Sequence, residues 1–140
     1  MAPVAFARIA EAPLSLDEHQ EAVLDPRFGA VVTFVGRIRD HDPGAAGPVE
    51  AIEYSCHPDA GRIIAEIADR AATPETRLAV SHRIGHVPVG GLALVACVAA
   101  AHRAEAYAVS RELVERIKAE VPIWKHQVAA DGSKNWQGLK

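Results

Sequence analysis

The feature that most limits what this chain can fold into is its longest apolar run, GGLALVACVAAA from Gly90 to Ala101. The run falls short of the ~20 residues a membrane helix needs, so it reads as a buried strand over Leu92 to Ala99, and no bilayer span is expected. The next stretch, Ala100 to Gln127, changes period. A helix is predicted from about Ala104 to Glu120, with Tyr107, Leu113, Val114, Ile117 and Val121 on one stripe. Pro122 ends it, because the ring cannot continue a helix. Cations bracket this helix: His102 and Arg103 at its start, Lys118 near its end, and Lys125 in the extended segment beyond. Such a helix suits an anion. If the strand before it and the segment after it both pack on its apolar face, the four side chains could converge on one pocket.

Upstream, Val4 to Ile9 reads as a strand, and Ser15 with Glu18 forms a capping box ahead of a short helix that stops at Asp25 and Pro26. AVVTFVG after Gly29 is β-branched and almost wholly apolar, the pattern of a strand buried on both faces. The segment from Arg37 to Pro48 dissolves into Gly, Pro and Ala and is predicted to be a surface loop. Val49 to Tyr54 resumes as a strand, with Val49 and Ala51 facing one side and Glu50 and Ile52 the other. From Asp59, Ile63, Ile64, Ile67, Ala68 and Ala71 recur at helical spacing until Pro74. Leu78 to Ile84 forms a strand broken at Gly85, HVPVGG turns the chain, and this strand pairs antiparallel with the apolar one. IWKHQVAADGSKNWQG closes the chain as a hairpin, turning at Asp131 and Gly132 with its strands marked by Trp124, Val128 and Trp136.

Strands and helices mixed without regular βαβ alternation predict an α+β domain. At 140 residues, the chain has room for one core, so a single domain over residues 1–140 is expected. A hydrophobic share of 49% against 24% charged excludes both disorder and a membrane class. The formal net charge of -3 disfavours nucleic acid, so an anion must be drawn by a local basic cluster. MAPVAFARIAEAPLS lacks the basic start and long apolar core of a signal peptide, which predicts a cytoplasmic protein.

The cations carry the candidate chemistry. Lys118 projects to the border of the apolar stripe, where desolvation and a neighbouring cation such as Arg111 would lower its pKa toward a proton-shuttle range. The ordinary reading is a lysine whose stem covers the core while its ammonium stays wet. Lys125 alternates to the face opposite Trp124, which packs and fixes the backbone; its ordinary reading is an exposed strand lysine. His102 and Arg103 open a helix, where dipole and side-chain charge can act on one phosphate or carboxylate; with no Ser, Thr, Asp or Asn at the cap, they equally suit the end of a strand. Arg37 and Arg39 leave their strand on alternate sides, so at most one should face a given pocket. His82 and His86 are four apart across Gly85 in a strand and turn, which is not a helical metal pair, and no metal is expected. Cys56 and Cys97 read as packing residues, and Cys56 beside His57 is no more than a loop neighbour.

Four motifs in order and spacing make a specific combination over most of the chain: Phe34, Gly36 and Arg39 in FVGRIR; HRIG from His82 to Gly85, followed by Pro88 and Gly90; AHR from Ala101 to Arg103; and KAEVPIWK from Lys118 to Lys125. Together they resemble the catalytic, large subunit family of molybdopterin synthase. The resemblance implies an α/β hammerhead-type fold with an antiparallel sheet, and a homodimer of this subunit within a heterotetramer. A small ubiquitin-like sulfur-carrier partner would deliver sulfur as a C-terminal thiocarboxylate to cyclic pyranopterin monophosphate, with no metal or other cofactor. It also implies that Lys118 and Lys125 are catalytic, the first moving protons and the second acting as an electrostatic clamp. Arg39, His102 and Arg103 would bind the substrate, in a pocket that could be shared across the dimer interface. Arg37, at a position where the family varies, falls outside this set. Three departures stand out: Ala100 where the family often has Ser, an individual loop from Asp42 to Pro48, and an end soon after Trp136 without the basic tail of some relatives. The competing expectation is a non-catalytic module that binds a ubiquitin-like tail or a phosphorylated metabolite through the same cations.

Overall fold

A computed structural model describes residues 2–41, 47–129 and 134–137, the last four by their backbone alone. In chain order the elements are β1 (Val4–Ala10), α1 (Leu16–Ala22), β2 (Ala30–Arg37), β3 (Val49–Cys56), α2 (Ala60–Ala71), β4 (Thr76–Arg83), β5 (Gly85–Pro88), β6 (Leu92–Ala100), α3 (Arg103–Glu120), β7 (Ile123–Ala129) and β8 (Lys134–Gln137). They build two four-stranded sheets, ordered β1-β4-β6-β2 and β5-β3-β7-β8. The pairing is antiparallel except between β1 and β4, which run parallel. The class is α+β, as the element order predicts.

The apolar run sits at the centre of the first sheet, between β4 and β2, and every residue from Ala93 to Ala100 is buried. α2 and α3 cover one face, where Ile64, Ile67, Leu78, Leu94, Leu113 and Ile117 form the main core. Full burial of each such side chain is worth roughly 1.5–3 kcal/mol relative to exposure. α1 and the segments flanking it cover part of the other face, over Val95 and Cys97. Ser15 Oγ accepts the Glu18 N–H at 3.1 Å, while the Glu18 carboxylate takes Arg8. Half of the predicted capping box therefore forms.

Several expectations change. β2 is an edge strand and is not buried on both faces: Val31 is 44% exposed and Phe34 36%. An apolar β-branched run has the same local pattern at an edge as at a centre. HVPVGG contains a strand, β5, which joins the second sheet beside β3 before the chain turns. Val49, Ala51 and Ile52 are all buried, and a register shift between Val49 and Ala51 interrupts the alternation there. Tyr107 is exposed, and the buried face of α3 includes Ala106, Val109 and Ser110 instead. Along the exposed face of α3, Arg116 pairs with Glu112 at 3.2 Å and with Glu120 at 3.3 Å. Trp124 projects outward from β7, so it does not fix the backbone by packing. β7 and β8 pair as the two arms of the final hairpin, but its turn and most of the loop from 42 to 48 lie outside the described residues.

Candidate active site

A cavity of about 160 Å³ opens where the end of β2, the last turn of α3 and the second sheet meet, and Arg39, Lys118 and Lys125 all line it. Each arrives for a local reason. Lys118 follows the buried Ile117, at the edge of the face that α3 turns to the core. Lys125 is the cross-strand partner of Tyr54, and such partners project from the same face, so both reach the cavity. Beyond β2 the chain stays pinned: the Ile38 N–H donates to the Gly91 carbonyl at 3.1 Å, and the Gly90 N–H to the Ile38 carbonyl at 2.9 Å. Arg37 lines the cavity beside Arg39, contrary to the expectation from strand alternation. The ladder shifts register between Gly36 and Arg37, and regular alternation ends there.

The two lysines set the electrostatics. Burial first, and the Lys125 charge second, hold the Lys118 ammonium below the usual lysine range. The depressing neighbour is Lys125, where helical projection had pointed to Arg111. Burial and a second amine nearby both favour release of the Lys118 proton, the property a proton-transfer group needs. Beneath them His82 is 2% exposed and packs edge-on against the Tyr54 ring, with centroids 5.2 Å apart. His82 Nδ1 lies 2.7 Å from the Arg83 carbonyl, which can only accept, so Nδ1 carries the proton. Burial is the main cause that lowers the His82 pKa to about 4; the bond to Arg83 opposes it and the Lys118 charge adds to it. The imidazole is thus neutral at pH 7 and adds no charge beside the lysines.

His102 and Arg103 are elsewhere. His102 is the N-cap of α3, with no side-chain capping bond, and Arg103 is the first helical residue; both are exposed. Between Arg103 and Lys118 the helix rises by roughly 22 Å at about 1.5 Å per residue. The four cations of this stretch therefore do not converge within one chain. Three of the five expected site residues share the cavity, and two stand at the far end of α3.

Tyr54, Arg37 and His82 had not been singled out for this site. Tyr54 becomes visible only through its pairing with Lys125. Gln127, two residues beyond Lys125 on the same face of β7, is 1% exposed, and neither its Oε1 nor its Nε2 has a hydrogen-bond partner among the described residues. The Cys56–His57 pairing has no support. Burial raises the Cys56 thiol pKa, and His57 Nδ1 accepts the Asp59 N–H at 3.0 Å, just ahead of α2.

The chain is similar to known proteins over most of its length. The family model described as "MoaE protein" matches residues 9–120. Molybdopterin synthase catalytic subunit 1 of Mycobacterium tuberculosis is 38% identical over 138 residues, covering 95% of this chain and 90% of that protein. The molybdopterin synthase catalytic subunit of Staphylococcus carnosus is 35% identical over 129 residues, covering 90% of this chain and 84% of its own length. Among solved structures, molybdopterin synthase from Staphylococcus aureus superposes with a TM-score of 0.85 at 32% identity, over 94% of this chain and 96% of that one. The molybdopterin biosynthesis MoaE protein of Burkholderia ambifaria gives 0.79 at 27% identity, over 99% and 90%. With sequence and fold matched over nearly the whole length, the chain belongs to the MoaE family.

Proposed function

We propose that this protein is the catalytic subunit of a molybdopterin synthase, a single-domain sulfurtransferase of the cytoplasm. It takes sulfur from the C-terminal thiocarboxylate of a small ubiquitin-like partner and transfers it to cyclic pyranopterin monophosphate, building the dithiolene of molybdopterin in two rounds. The observation that carries this reading is the half-buried Lys118, its pKa depressed beside Lys125, in a cavity that also holds Arg39. Lys118 moves protons as the cyclic phosphate opens, and Lys125 clamps the oxyanion that forms at the tail's carbonyl. Because the partner brings activated sulfur, no cysteine nucleophile is required, in keeping with thiols whose pKa values are raised by burial.

Arg39 binds the substrate from within the chain, and His102 and Arg103 from a second copy. Ser110 and Arg111 stand midway along α3 between Arg103 and Lys118. A two-fold axis there would lay Arg103 of one copy against Lys118 of the other. The same region offers the free edge of β2, the exposed Phe34 and Tyr107, and a shallow cavity of about 330 Å³ that both rings line. The assembly is then a homodimer with one sulfur carrier at each end, a heterotetramer.

Reconstitution tests the reading. Mixed with thiocarboxylated partner and cyclic pyranopterin monophosphate, the protein should yield the dithiolene product. Partner binding without product would leave the non-catalytic tail-binding module as the better account.

A further inference from the structure

We propose that His19 is a proton-sensitive latch: its neutral ring fastens α1 to the first sheet, and when the ring takes up a proton α1 comes away and uncovers the strands beneath. The latch sits on the sheet face opposite α2 and α3 and does not depend on the functional reading above. Of the seven residues of α1, His19 is the buried one, at 0% exposure. A helix this short draws little stability from its own hydrogen bonds, so its docking rests on that ring and on Val23 just beyond its end.

Both ring nitrogens are engaged. Nδ1 lies 2.6 Å from the Ser15 carbonyl, which can only accept, so Nδ1 carries the proton. Nε2, 2.8 Å from Ser81 Oγ, therefore accepts from the Ser81 hydroxyl. The same oxygen accepts Arg8 Nε at 3.2 Å. Arg8 lies over the Phe6 ring, 4.0 Å from its centroid, and pairs with Glu18, while the Phe6 ring meets His19 edge-on at 4.9 Å. This chain of donors and acceptors closes only around a neutral imidazole. A protonated Nε2 would donate instead, leaving the Ser81 hydroxyl without its acceptor and set between two cations in a buried site that screens charge poorly. The charged groups that face the ring are Arg8 from β1 and Glu18 from α1 itself, and β4 presents the neutral Ser81. Burial is the main cause that holds the His19 pKa below the ordinary 6.5; the bond to Ser15 and the Glu18 charge oppose it, and the Arg8 charge adds to it. The undocked ring takes the proton more readily, so docking is fully favoured above pH 6.5 and weakens as pH falls.

The surface that α1 helps to cover is apolar, with Ala79 of β4 and Val95, Cys97 and Ala99 of β6. α1 also reaches the edge strand: Gln20 Nε2 donates to Thr33 Oγ1 at 3.4 Å, and that hydroxyl lies 3.3 Å from Cys97 Sγ. Undocking thus loosens one flank of β2 and opens a path to the Cys97 thiol.

Hydrogen exchange of the full-length protein, corrected for the intrinsic pH dependence of exchange, tests this between pH 7.5 and pH 5.0, above the range in which His82 titrates. Exchange of the α1 amides should rise below pH 6.5 by up to about tenfold per pH unit, while the amides of β4 and β6 stay protected. Labelling of Cys97 by a thiol reagent, taken as a ratio to the part-buried Cys56, should rise in parallel. His19→Phe fills the site without titrating, so its α1 exchange should not vary with pH, whatever its absolute level. Should that variant fail to fold, Ser81→Ala serves: the neutral ring loses its hydrogen bond, and the acid-induced rise should shrink. Constant α1 exchange in the wild type, the same slope in His19→Phe, an undiminished rise in Ser81→Ala, or β4 and β6 opening in step with α1 each overturns the proposal.

Discussion

The two ends of α3 carry the same kind of charge in opposite surroundings. At the C-terminal end, Lys118 is half-buried against the core, lines a cavity together with Lys125, and lies near a neutral buried histidine. At the N-terminal end, His102 and Arg103 lie in the open, with no capping bond on the His102 side chain. Burial changes what a cation can do. A desolvated amine beside another amine gives up its proton more readily, whereas an exposed pair supplies charge and little else until something covers it. On the proposed reading, the lysines and Arg39 act within one chain, and His102 and Arg103 reach the substrate only from a second copy.

The largest effect expected from this contrast is at the buried end. Lys118→Ala should lower sulfur transfer by at least about 100-fold, the scale of a lost acid–base group, while partner binding measured by titration persists. Near-normal turnover would break the contrast, since the buried lysine would then be no more than a packing residue. Next in size is a pH effect on stability. The folded-state pKa of His82 is lowered to about 4 from its ordinary 6.5, so the unfolded chain binds the proton more readily. Its contribution is fully present above pH 6.5 and is lost as pH falls through about 4, a change of roughly 3 kcal/mol across that window. Urea unfolding at pH 7 and pH 4.5 should show a steeper acid loss in the wild type than in His82→Phe, and equal slopes would count against a neutral floor under the lysines. The smallest effect sharpens the picture of the same wall. Gln127→Leu removes two unpaired buried polar atoms and should raise stability by about 1 kcal/mol, or some 3–5 °C in Tm. A lower Tm would mean that the amide has a partner in solution.

Much of this molecule is legible along the chain because much of it is local. The apolar stripe of α2, the Ser15 cap, the helix stop at Pro122 and the buried strand before α3 each depend on residues within a turn or two of one another. What escapes a linear reading depends on neighbours brought from a distance. β2 has the composition of a central strand, yet among the described residues it pairs only with β6 and lies at the edge of its sheet. Tyr54 reaches the cavity through its pairing with Lys125, and Arg37 reaches it because the ladder shifts where the alternation rule would have turned it away. The separation of His102 and Arg103 from the lysines was readable in principle from the rise of an 18-residue helix. The motif combination pointed to these cations, and the helix length shows that one chain does not bring His102 and Arg103 to the lysines.

The most direct test of the two-copy site is a mixed-dimer experiment. Lys118→Ala and Arg103→Ala proteins, each nearly inactive alone, are unfolded together, refolded as a mixture and assayed for sulfur transfer with the partner subunit. If the lysine and the arginine of one site come from different copies, each mixed dimer holds one intact site, and random pairing restores about a quarter of wild-type activity. If the mixture forms mixed dimers and remains as inactive as its components, the two ends of α3 do not meet across a dimer, and the division of labour between them is wrong.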